Sequence, residues 1–368
     1  MSTPRLKSIS KTLAESGLDA LALNPSPSLL YATGLHFHLM ERPVVALFAA
    51  DGRIALVLPE LETAKLNHLS YDLKAFPYNE EPTTWTSVFG QAVDFLGLGG
   101  KKIGIEPLAM RIIEYRYLQA AAPKASLPDA TEAIASLRIR KDENEIASMR
   151  KAAEIAQNAL EATLPMIKVS VSEKEIASEL VMQLLKHGSE SPLPFQPIVS
   201  GGPNGANPHA TPSERKLQEG DLLVIDWGAN CNNYVSDITR TFAIGEIDEE
   251  YRKIYEIAQE ANAAGRAAAK PGLPARVVDE AARKVIDDSG YGEYFTHRTG
   301  HGIGMEGHEA PYMRAGNERI LEVGMAFTVE PGIYLPNRNG VRIEDDMVIT
   351  ANGAESLSTL PREIRVLG

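Results

Sequence analysis

Short apolar runs alternate with amphipathic stretches along the first third of the chain. Four of the runs are short and of β-type composition, which predicts strands at 20–23, 44–48, 54–58 and 103–105. Apolar positions at helical spacing predict helices near 5–16, 60–68, 85–96 and 108–121. This alternation of strands and helices indicates an α/β domain.

The pattern changes after the segment AAAPKASLPDA, which is rich in Ala, Pro and Ser and is typical of a domain boundary. We therefore expect two domains, 1–128 and 129–368. A chain of 368 residues, of which 44% are hydrophobic, is long enough to bury two cores.

Two pairs of amphipathic helices are predicted in the second domain. The first helix opens with Asp142 and Glu145, an acidic variant of the capping box, and its partner opens with the capping box of Ser172 and Glu175. A further pair is predicted at 248–269 and 274–289. Each pair precedes segments that carry carboxylates.

The two halves of this domain resemble each other. The segments GDLLVIDWG (220–228) and GMAFTVEPG (324–332) place a carboxylate at the same distance from two glycines, which makes Asp226 equivalent to Glu330. Asp237 and Glu344 follow these two residues by 11 and 14 positions. A duplicated unit of helices and strands would bring the four carboxylates together at one cleft, across a pseudo-twofold axis.

These four carboxylates and His301 form a set of hard oxygen donors with one nitrogen. Two carboxylates about 4 Å apart repel by roughly 4 kcal/mol at an effective dielectric of about 20, so the cluster without metal would stay partly protonated. The donor set suits a pair of divalent cations, and a water that bridges two cations loses a proton near neutral pH. The sequence therefore predicts a dinuclear hydrolase site.

Charge and composition exclude several partners. The chain has 37 Lys and Arg against 49 Asp and Glu, a net charge of −12, and no basic run, which argues against nucleic acid. No apolar run approaches the roughly 18 residues of a membrane span. Cys231 is the single cysteine, which excludes an intramolecular disulfide. We expect a cytoplasmic protein without a membrane partner.

Seven motifs follow one another in the second domain: NPHATP, DWGA, SDITRTF, HRTGHGIGMEGHEAP, TVEPGIY, VRIEDD and STLPRE. With them, the chain from about residue 130 onward resembles the pita-bread (M24) metallopeptidases, specifically the proline-specific branch of prolidases (Xaa-Pro dipeptidases) and aminopeptidase P. Residues 1–125 fit the N-terminal domain of that branch. The resemblance implies a creatinase/prolidase-like α/β domain and an α+β pita-bread catalytic domain with an internal pseudo-twofold duplication.

The resemblance also implies a role for each metal-type ligand. Asp226 and Asp237 would bind one metal, with Asp237 bridging, and His301 and Glu330 would bind the other, with Glu344 as the second bridge. Glu330 would also take the proton from the attacking water and pass it to the leaving nitrogen. Two Mn²⁺ or Co²⁺ ions are expected first, with Zn²⁺ or Fe²⁺ left open.

Further residues fall where the branch has functional groups. Three histidines are expected beside the metals, in contact with the substrate carbonyl or the transition state: His209, His297 and His308. Five other residues are expected near the substrate or behind the ligands. Arg342 lies two positions before Glu344, so on a strand it would share a face with that ligand and orient it, unless it faces solvent. Thr239 would support the ligands, Tyr234 would lie in the pocket or in ordinary packing, and Arg298 would meet a substrate carboxylate. His36, with His38, would lie towards the partner subunit of a homodimer or in an ordinary surface loop.

The expected reaction is the hydrolysis of Xaa-Pro dipeptides by a metal-bridging hydroxide. The substrate is a small peptide with proline at its second position. Three alternatives stay open on the same fold: aminopeptidase P acting on longer Xaa-Pro peptides, a hydrolase or lyase of another small molecule, and a non-catalytic binding module.

Overall fold

The computed structural model describes residues 3–67 and 69–368, and it divides into two compact units, one ending at Arg138 and one beginning at Ile139. The first unit continues past residue 128, where the sequence places the seam. The reason is that Ala130, Ala133 and Ile134 are buried in a core of the first unit. The segment after AAAPKASLPDA therefore belongs to the first unit.

The first unit is a five-stranded sheet with helices. Its strands lie in the order β4-β3-β2-β1-β5, and β1 pairs antiparallel with β2 and parallel with β5. Its elements are α1 (Thr3–Glu15), β1 (Ala20–Leu23), α2 (Pro27–Thr33), β2 (Val45–Ala49), β3 (Ile54–Pro59), β4 (Lys74–Tyr78), α3 (Trp85–Leu96), β5 (Ile103–Ile105), α4 (Ile112–Ala121) and α5 (Thr131–Arg138).

All four predicted strands of this unit are present, and alternate residues of β1 and β2 enter cores on the two faces of the sheet. The helix predicted at 60–68 is a 3₁₀ helix over Glu60–Leu66, and residue 68 lies outside the described residues. Three elements were not predicted: α2, β4 and α5. Ser26 caps α2 and Pro27 opens it, so a Ser-Pro sequence that suggests a turn in fact starts a helix.

The first half of the second unit begins with the predicted helix pair. Both capping boxes are present, Asp142 with Glu145 and Ser172 with Glu175. The elements of this half are α6 (Glu143–Thr163), α7 (Glu173–Lys186), β6 (Ile198–Gly201), β7 (Leu222–Trp227), β8 (Asn230–Cys231), β9 (Tyr234–Val235) and β10 (Ile238–Ile244).

The second half also begins with a helix pair that is followed by strands. Its helix pair agrees with the predicted ranges to within two residues. The elements are α8 (Glu249–Ala268), α9 (Arg276–Asp288), β11 (Gly300–Gly302), β12 (Glu309–Met313), β13 (Ala326–Val329), β14 (Gly332–Tyr334), β15 (Gly340–Arg342), β16 (Asp345–Thr350), β17 (Gly353–Ser356) and β18 (Arg365–Leu367).

Two sheets form the body of this unit, with strand orders β18-β10-β7-β6 and β12-β11-β13-β16-β17. In each half a helix pair is thus followed by strands, as the sequence repeat predicts, and β18 from the end of the chain joins the first sheet parallel to β10. An antiparallel bridge between Thr239 and Glu344 brings the two halves together. Among the described residues, no helix combines the length and the apolar character needed to cross a membrane.

Burial of neighbouring residues turns the first carboxylate of the cluster outward. Trp227, at the end of β7, is fully buried, and its Nε1 donates to the carbonyl oxygen of Ala156 on α6 at 2.8 Å. Because successive side chains of a strand point to opposite faces, Asp226 points away from the helices. The packing of α6 on β7 therefore places Asp226 at the open face of the sheet.

Candidate metal centre

The strands of the second unit bring the five predicted ligands together. Donor atoms of Asp226, Asp237 and Glu344 lie within 4.8 Å of one another, and so do donor atoms of His301, Glu330 and Glu344. Glu344 belongs to both groups. Asp237 also lies in a third group, with His301 and His308. Asp237 and Glu344, the two carboxylates expected to bridge, are therefore the carboxylates that occur in more than one of these groups.

His301 presents a lone pair to the carboxylates. Its Nδ1 lies 3.2 Å from the carbonyl oxygen of Gly302, which can only accept, so Nδ1 carries the proton of the neutral ring. Burial lowers the pKa of His301 and keeps it neutral. Its Nε2 then faces Oε1 of Glu330 at 3.3 Å and Oδ2 of Asp237 at 3.7 Å. A lone pair opposite carboxylate oxygens is favourable only with a proton or a cation between them.

Three of the carboxylates resist ionisation in the absence of metal. Burial, reinforced by repulsion from Glu344 and Asp226, raises the pKa of Asp237. Burial likewise raises the pKa of Glu344, with repulsion from Glu330 and Asp226. Burial raises the pKa of Glu330 to about 8, although Arg342 acts in the opposite direction. The positively charged groups of the protein are therefore too few to balance the negative charge that these carboxylates would carry when ionised.

One buried oxygen of the cluster has no hydrogen-bond partner in the described part of the chain, namely Oδ1 of Asp226. A buried carboxylate oxygen without a donor is costly unless it meets a cation. Together with the lone pair of His301, this oxygen shows that the residues fit divalent metal ions.

Arg342 lies behind the ligands and is 3% exposed. Its Nη2 donates to Oδ2 of Asp226 at 2.7 Å, and its Nε donates to Oγ1 of Thr239 at 3.1 Å. Burial opposes the charge on the guanidinium, but Tyr334 and Asp226 outweigh it and raise the pKa of Arg342. The guanidinium binds Asp226 directly and reaches Glu344 through Thr239.

Thr239 connects the arginine to Glu344. Its Oγ1 donates to Oε2 of Glu344 at 2.6 Å while it accepts from Arg342. A single hydroxyl therefore fixes one oxygen of Glu344. This is the supporting contact that the sequence predicts for Thr239.

His297 is part of a chain of hydrogen bonds that the sequence did not reveal. Arg342 Nη1 donates to the hydroxyl oxygen of Tyr334 at 2.9 Å, and this oxygen lies 2.8 Å from Nε2 of His297. The other ring nitrogen lies 2.7 Å from the carbonyl oxygen of Arg298, so it carries the proton and Nε2 accepts from Tyr334. Burial lowers the pKa of His297 to about 4, so the ring is neutral. Both nitrogens are used within the protein.

The other two histidines face a cavity of about 670 Å³ that contains all five ligands. His308 lies against His301, with 3.9 Å between ring centroids, and its Nδ1 accepts from Nη2 of Arg298 at 3.2 Å. The ring of His209 is exposed and has no hydrogen-bond partner among the described residues. Its nitrogens are therefore available to a ligand in the cavity.

Two predicted residues lie elsewhere. Tyr234 is buried in the core of the second unit, its hydroxyl donates to the carboxylate of Glu145 at the start of α6, and it is not among the residues that line the cavity. His36 lies in the first unit on an exposed loop, where its ring contacts that of His38 edge-on at 5.0 Å.

A buried cluster of carboxylates with one neutral imidazole, open to a cavity, is typical of a metal-dependent hydrolase. Residues 147–351 match Metallopeptidase family M24, and residues 5–140 match the Creatinase/Prolidase N-terminal domain. The chain belongs to metallopeptidase family M24, with a creatinase-type N-terminal domain and a pita-bread catalytic domain, as the sequence motifs predict.

Relatives over the full length agree. The chain is 36% identical to a Xaa-Pro dipeptidase of Lactobacillus delbrueckii subsp. lactis over 98% of both chains. A prolidase structure from Thermococcus sibiricus covers 100% of both chains at 34% identity and a TM-score of 0.94. An X-Pro aminopeptidase structure from Thermotoga maritima covers 98% of this chain and 99% of its own at 31% identity and a TM-score of 0.85.

The raised pKa values predict how pH affects the metal-free protein. Since the folded pKa of Glu330 is about 8, above that of the unfolded chain, the stability that protonation provides is complete in acid and is lost as pH rises towards 8. We expect a lower melting temperature at pH 8.5 than at pH 6, and Mn²⁺ should raise it most at pH 8.5. Thermal melts with chelator or Mn²⁺ measure both. The metal-free Glu330→Gln variant should respond less to pH, and an equal response would contradict this origin.

The contact of Thr239 predicts a loss of metal affinity in Thr239→Val. This variant keeps the shape of the side chain but removes the donor to Glu344, so affinity should fall on the order of 10-fold to 100-fold. Isothermal titration with Mn²⁺ measures the change. Thr241→Val is the matched control, because the Thr241 hydroxyl bonds to the backbone of Arg342 and not to a ligand. Equal affinities in the two variants would argue against the role of Thr239.

Proposed function

We propose that this enzyme is a dinuclear Xaa-Pro dipeptidase. The observation that supports it most is a cluster of four carboxylates and a neutral histidine in one cavity that also contains Arg298, a cation without a carboxylate partner in the described part of the chain. The names of the Lactobacillus and Thermococcus relatives point to the same substrate class.

The ligand groups suggest one position for each metal. Asp226 and Asp237 would hold the first ion, His301 and Glu330 the second, and Asp237 and Glu344 would be shared. When bound, two divalent ions would lower the pKa of a water between them and polarise the substrate carbonyl. We favour Mn²⁺ or Co²⁺, because hard carboxylate oxygens dominate the donor set.

Glu330 is the proposed proton carrier. Its backbone N–H donates to the carbonyl oxygen of Thr299 at 2.7 Å, and its Oε1 accepts from the hydroxyl of Thr328 at 3.4 Å. These contacts hold the carboxylate at the edge of the cavity beside His301. It would take a proton from the attacking water and deliver it to the leaving proline nitrogen, which must be protonated because a neutral amine leaves far more readily than its anion.

The histidines divide the remaining work. His209 and His308 face the cavity and would donate hydrogen bonds to the substrate carbonyl as negative charge develops on its oxygen. His297 would act through Tyr334 and Arg342, since both its ring nitrogens are occupied. This changes the role that the sequence predicts for His297, from substrate contact to support of Arg342.

The cavity also provides groups for the two ends of a dipeptide. Arg298 lies over the ring of Tyr312 at 4.5 Å and next to His308, where a free carboxylate of the proline would meet its charge. Pro194, Phe195 and Ile198 form an apolar wall that suits an apolar side chain of the first residue. A charge that captures the free carboxylate favours a dipeptide over a longer chain.

We place the enzyme in the cytoplasm as a homodimer, in which His36 would approach the partner subunit's cavity. Proline at the second position of a small peptide remains the proposed recognition feature of the substrate.

Substrate length tests the proposed function. After removal of metal and addition of Mn²⁺ or Co²⁺, the enzyme should cleave Xaa-Pro dipeptides with a higher kcat/KM than Xaa-Pro-Yaa tripeptides. Release of the free amino acid measures both rates. A preference for tripeptides would instead support an X-Pro aminopeptidase like the Thermotoga relative, and inactivity on both would exclude a proline peptidase.

Replacement of the proposed carboxylate partner gives a second test. Arg298→Met should raise KM for a Xaa-Pro dipeptide by roughly 10-fold to 100-fold, since a hydrogen bond to a charged group contributes about 1.5 to 3 kcal/mol. The Xaa-Pro amide, which lacks the carboxylate, should show little difference between variant and wild type. Arg314→Met changes an exposed arginine nearby and should leave KM unchanged. An equal effect of Arg298→Met on acid and amide would refute carboxylate recognition.

A further inference from the structure

Two fully buried carboxylates outside the metal cluster bind the segments that carry histidines of the site. Glu173 is the first residue of α7, and Asp279 lies in the first turn of α9. Their exposed fractions are 0% and 1%. A buried charge persists only where hydrogen bonds compensate it, so the partners of each carboxylate show what it holds.

Glu173 joins both ends of the segment that contains His209. Its Oε1 accepts from the backbone N–H of Gly201 at 2.8 Å. Its Oε2 accepts from Nδ2 of Asn204 at 2.8 Å and from the backbone N–H and hydroxyl of Ser213 at 2.9 and 2.7 Å. One carboxylate therefore closes the segment 201–213 into a loop. The helix dipole at the start of α7 also favours a negative charge at this place.

Asp279 performs the corresponding task beside His297. Its Oδ1 accepts from the backbone N–H and hydroxyl of Thr299 at 3.0 and 2.8 Å. Both its oxygens accept from Arg283 at 3.2 Å, and Arg283 Nη2 donates to the carbonyl oxygen of His297 at 2.8 Å. The carbonyl oxygen of Thr299 accepts from the backbone N–H of Glu330. Asp279 is therefore connected through Thr299 to Glu330, a proposed metal ligand.

The two carboxylates occupy similar places in the internal repeat. Asp279 follows Glu173 by 106 positions, close to the separation of 104 between Asp226 and Glu330. Each lies at the start of the second helix of its pair. Glu173 binds the end of β6, which pairs with β7, and Asp279 binds the residue before β11, which pairs with β13. The duplicated scaffold thus has one such contact in each half.

We infer that Glu173 and Asp279 are positioning residues of the active site. Glu173 sets the place of His209, and Asp279, together with Arg283, sets the segment 297–299 and the backbone of Glu330. The inference rests on the proposed function, in which His209 contacts the substrate and Glu330 moves the proton.

Amide variants test the charge without a change of shape. Every partner of the Glu173 and Asp279 carboxylates is an N–H or a hydroxyl that donates. In Glu173→Gln or Asp279→Asn, one oxygen becomes an NH₂ group that faces donors, so at least one contact is lost. We expect kcat to fall on the order of 10-fold in each variant, with bound metal content unchanged, because misplacement of a catalytic group lowers the rate.

A double-mutant cycle separates positioning from general destabilisation. Glu173→Gln should lower kcat in the wild-type enzyme but have little further effect in a His209→Ala background, because its path of action is already lost. Asp279→Asn should keep its full effect in that background. An equal loss from Glu173→Gln in both backgrounds would overturn its assignment to His209.

Hydrogen exchange of the metal-loaded proteins provides a readout without substrate. Amides of 201–213 should exchange faster in Glu173→Gln and those of 297–301 faster in Asp279→Asn, each without a change in the other segment. Unchanged exchange in the named segment would overturn the inference for that carboxylate. If wild type cleaves no Xaa-Pro peptide, the proposed function fails, and the exchange pattern still decides the positioning roles.

Matched and milder variants complete the design. Glu214→Gln and Glu280→Gln make the same change at exposed neighbours of Ser213 and Asp279 and should alter neither kcat nor exchange. If an amide variant does not fold, Ser213→Ala removes one donor to Glu173 and Arg283→Ala removes two donors to Asp279. They should increase exchange in the same segments to a smaller extent, and no increase would count against the inference.

Discussion

The repulsion among buried carboxylates is the constraint on which the catalytic unit depends. Asp237, Glu330 and Glu344 all have raised pKa values, chiefly because burial disfavours their charged forms. Arg342 provides one positive charge, which is paired with Asp226. The protein alone therefore leaves the cluster without enough positive charge, and divalent cations would supply the missing charge. Stability and catalysis are coupled at this point, since the ions that complete the site also relieve its strain.

The hydrogen bonds around the cluster leave little freedom in how protons are distributed. Arg342 can only donate, so the oxygen of Tyr334 accepts from it and the Tyr334 hydrogen goes to His297. The proton of His301 is likewise fixed on Nδ1 by the carbonyl of Gly302, which leaves Nε2 for a metal. Thr239 accepts from Arg342 and donates to Glu344. Each hydrogen-bonding group behind the ligands therefore donates or accepts in one way. This arrangement leaves the lone pairs of the ligands facing the cavity.

Sequence alone predicted what depends on local rules or on ordered motifs. The capping boxes at Asp142 and Ser172 start helices through contacts three residues apart, so the pattern was sufficient. The place of Tyr334 was not predicted, although its motif was recognised, because its partners lie 8 and 37 residues away and meet only in the fold. For the same reason the sequence could not decide whether Tyr234 lines the pocket or packs in the core. Its partner Glu145 lies 89 residues away.

The internal repeat explains why the site is both duplicated and asymmetric. In each half a helix pair supports a largely antiparallel sheet, and a buried carboxylate binds the backbone at one end of a strand beside the proposed ligands, through Glu173 in the first half and Asp279 in the second. Only the second half adds an imidazole to the cluster, from His301, and the carboxylate that we propose as the proton carrier, Glu330. Because the same kind of buried carboxylate positions the site residues of both halves, the residues of one half can change in chemistry while the other half keeps its geometry. The distinct tasks of the two halves therefore rest on equivalent supports.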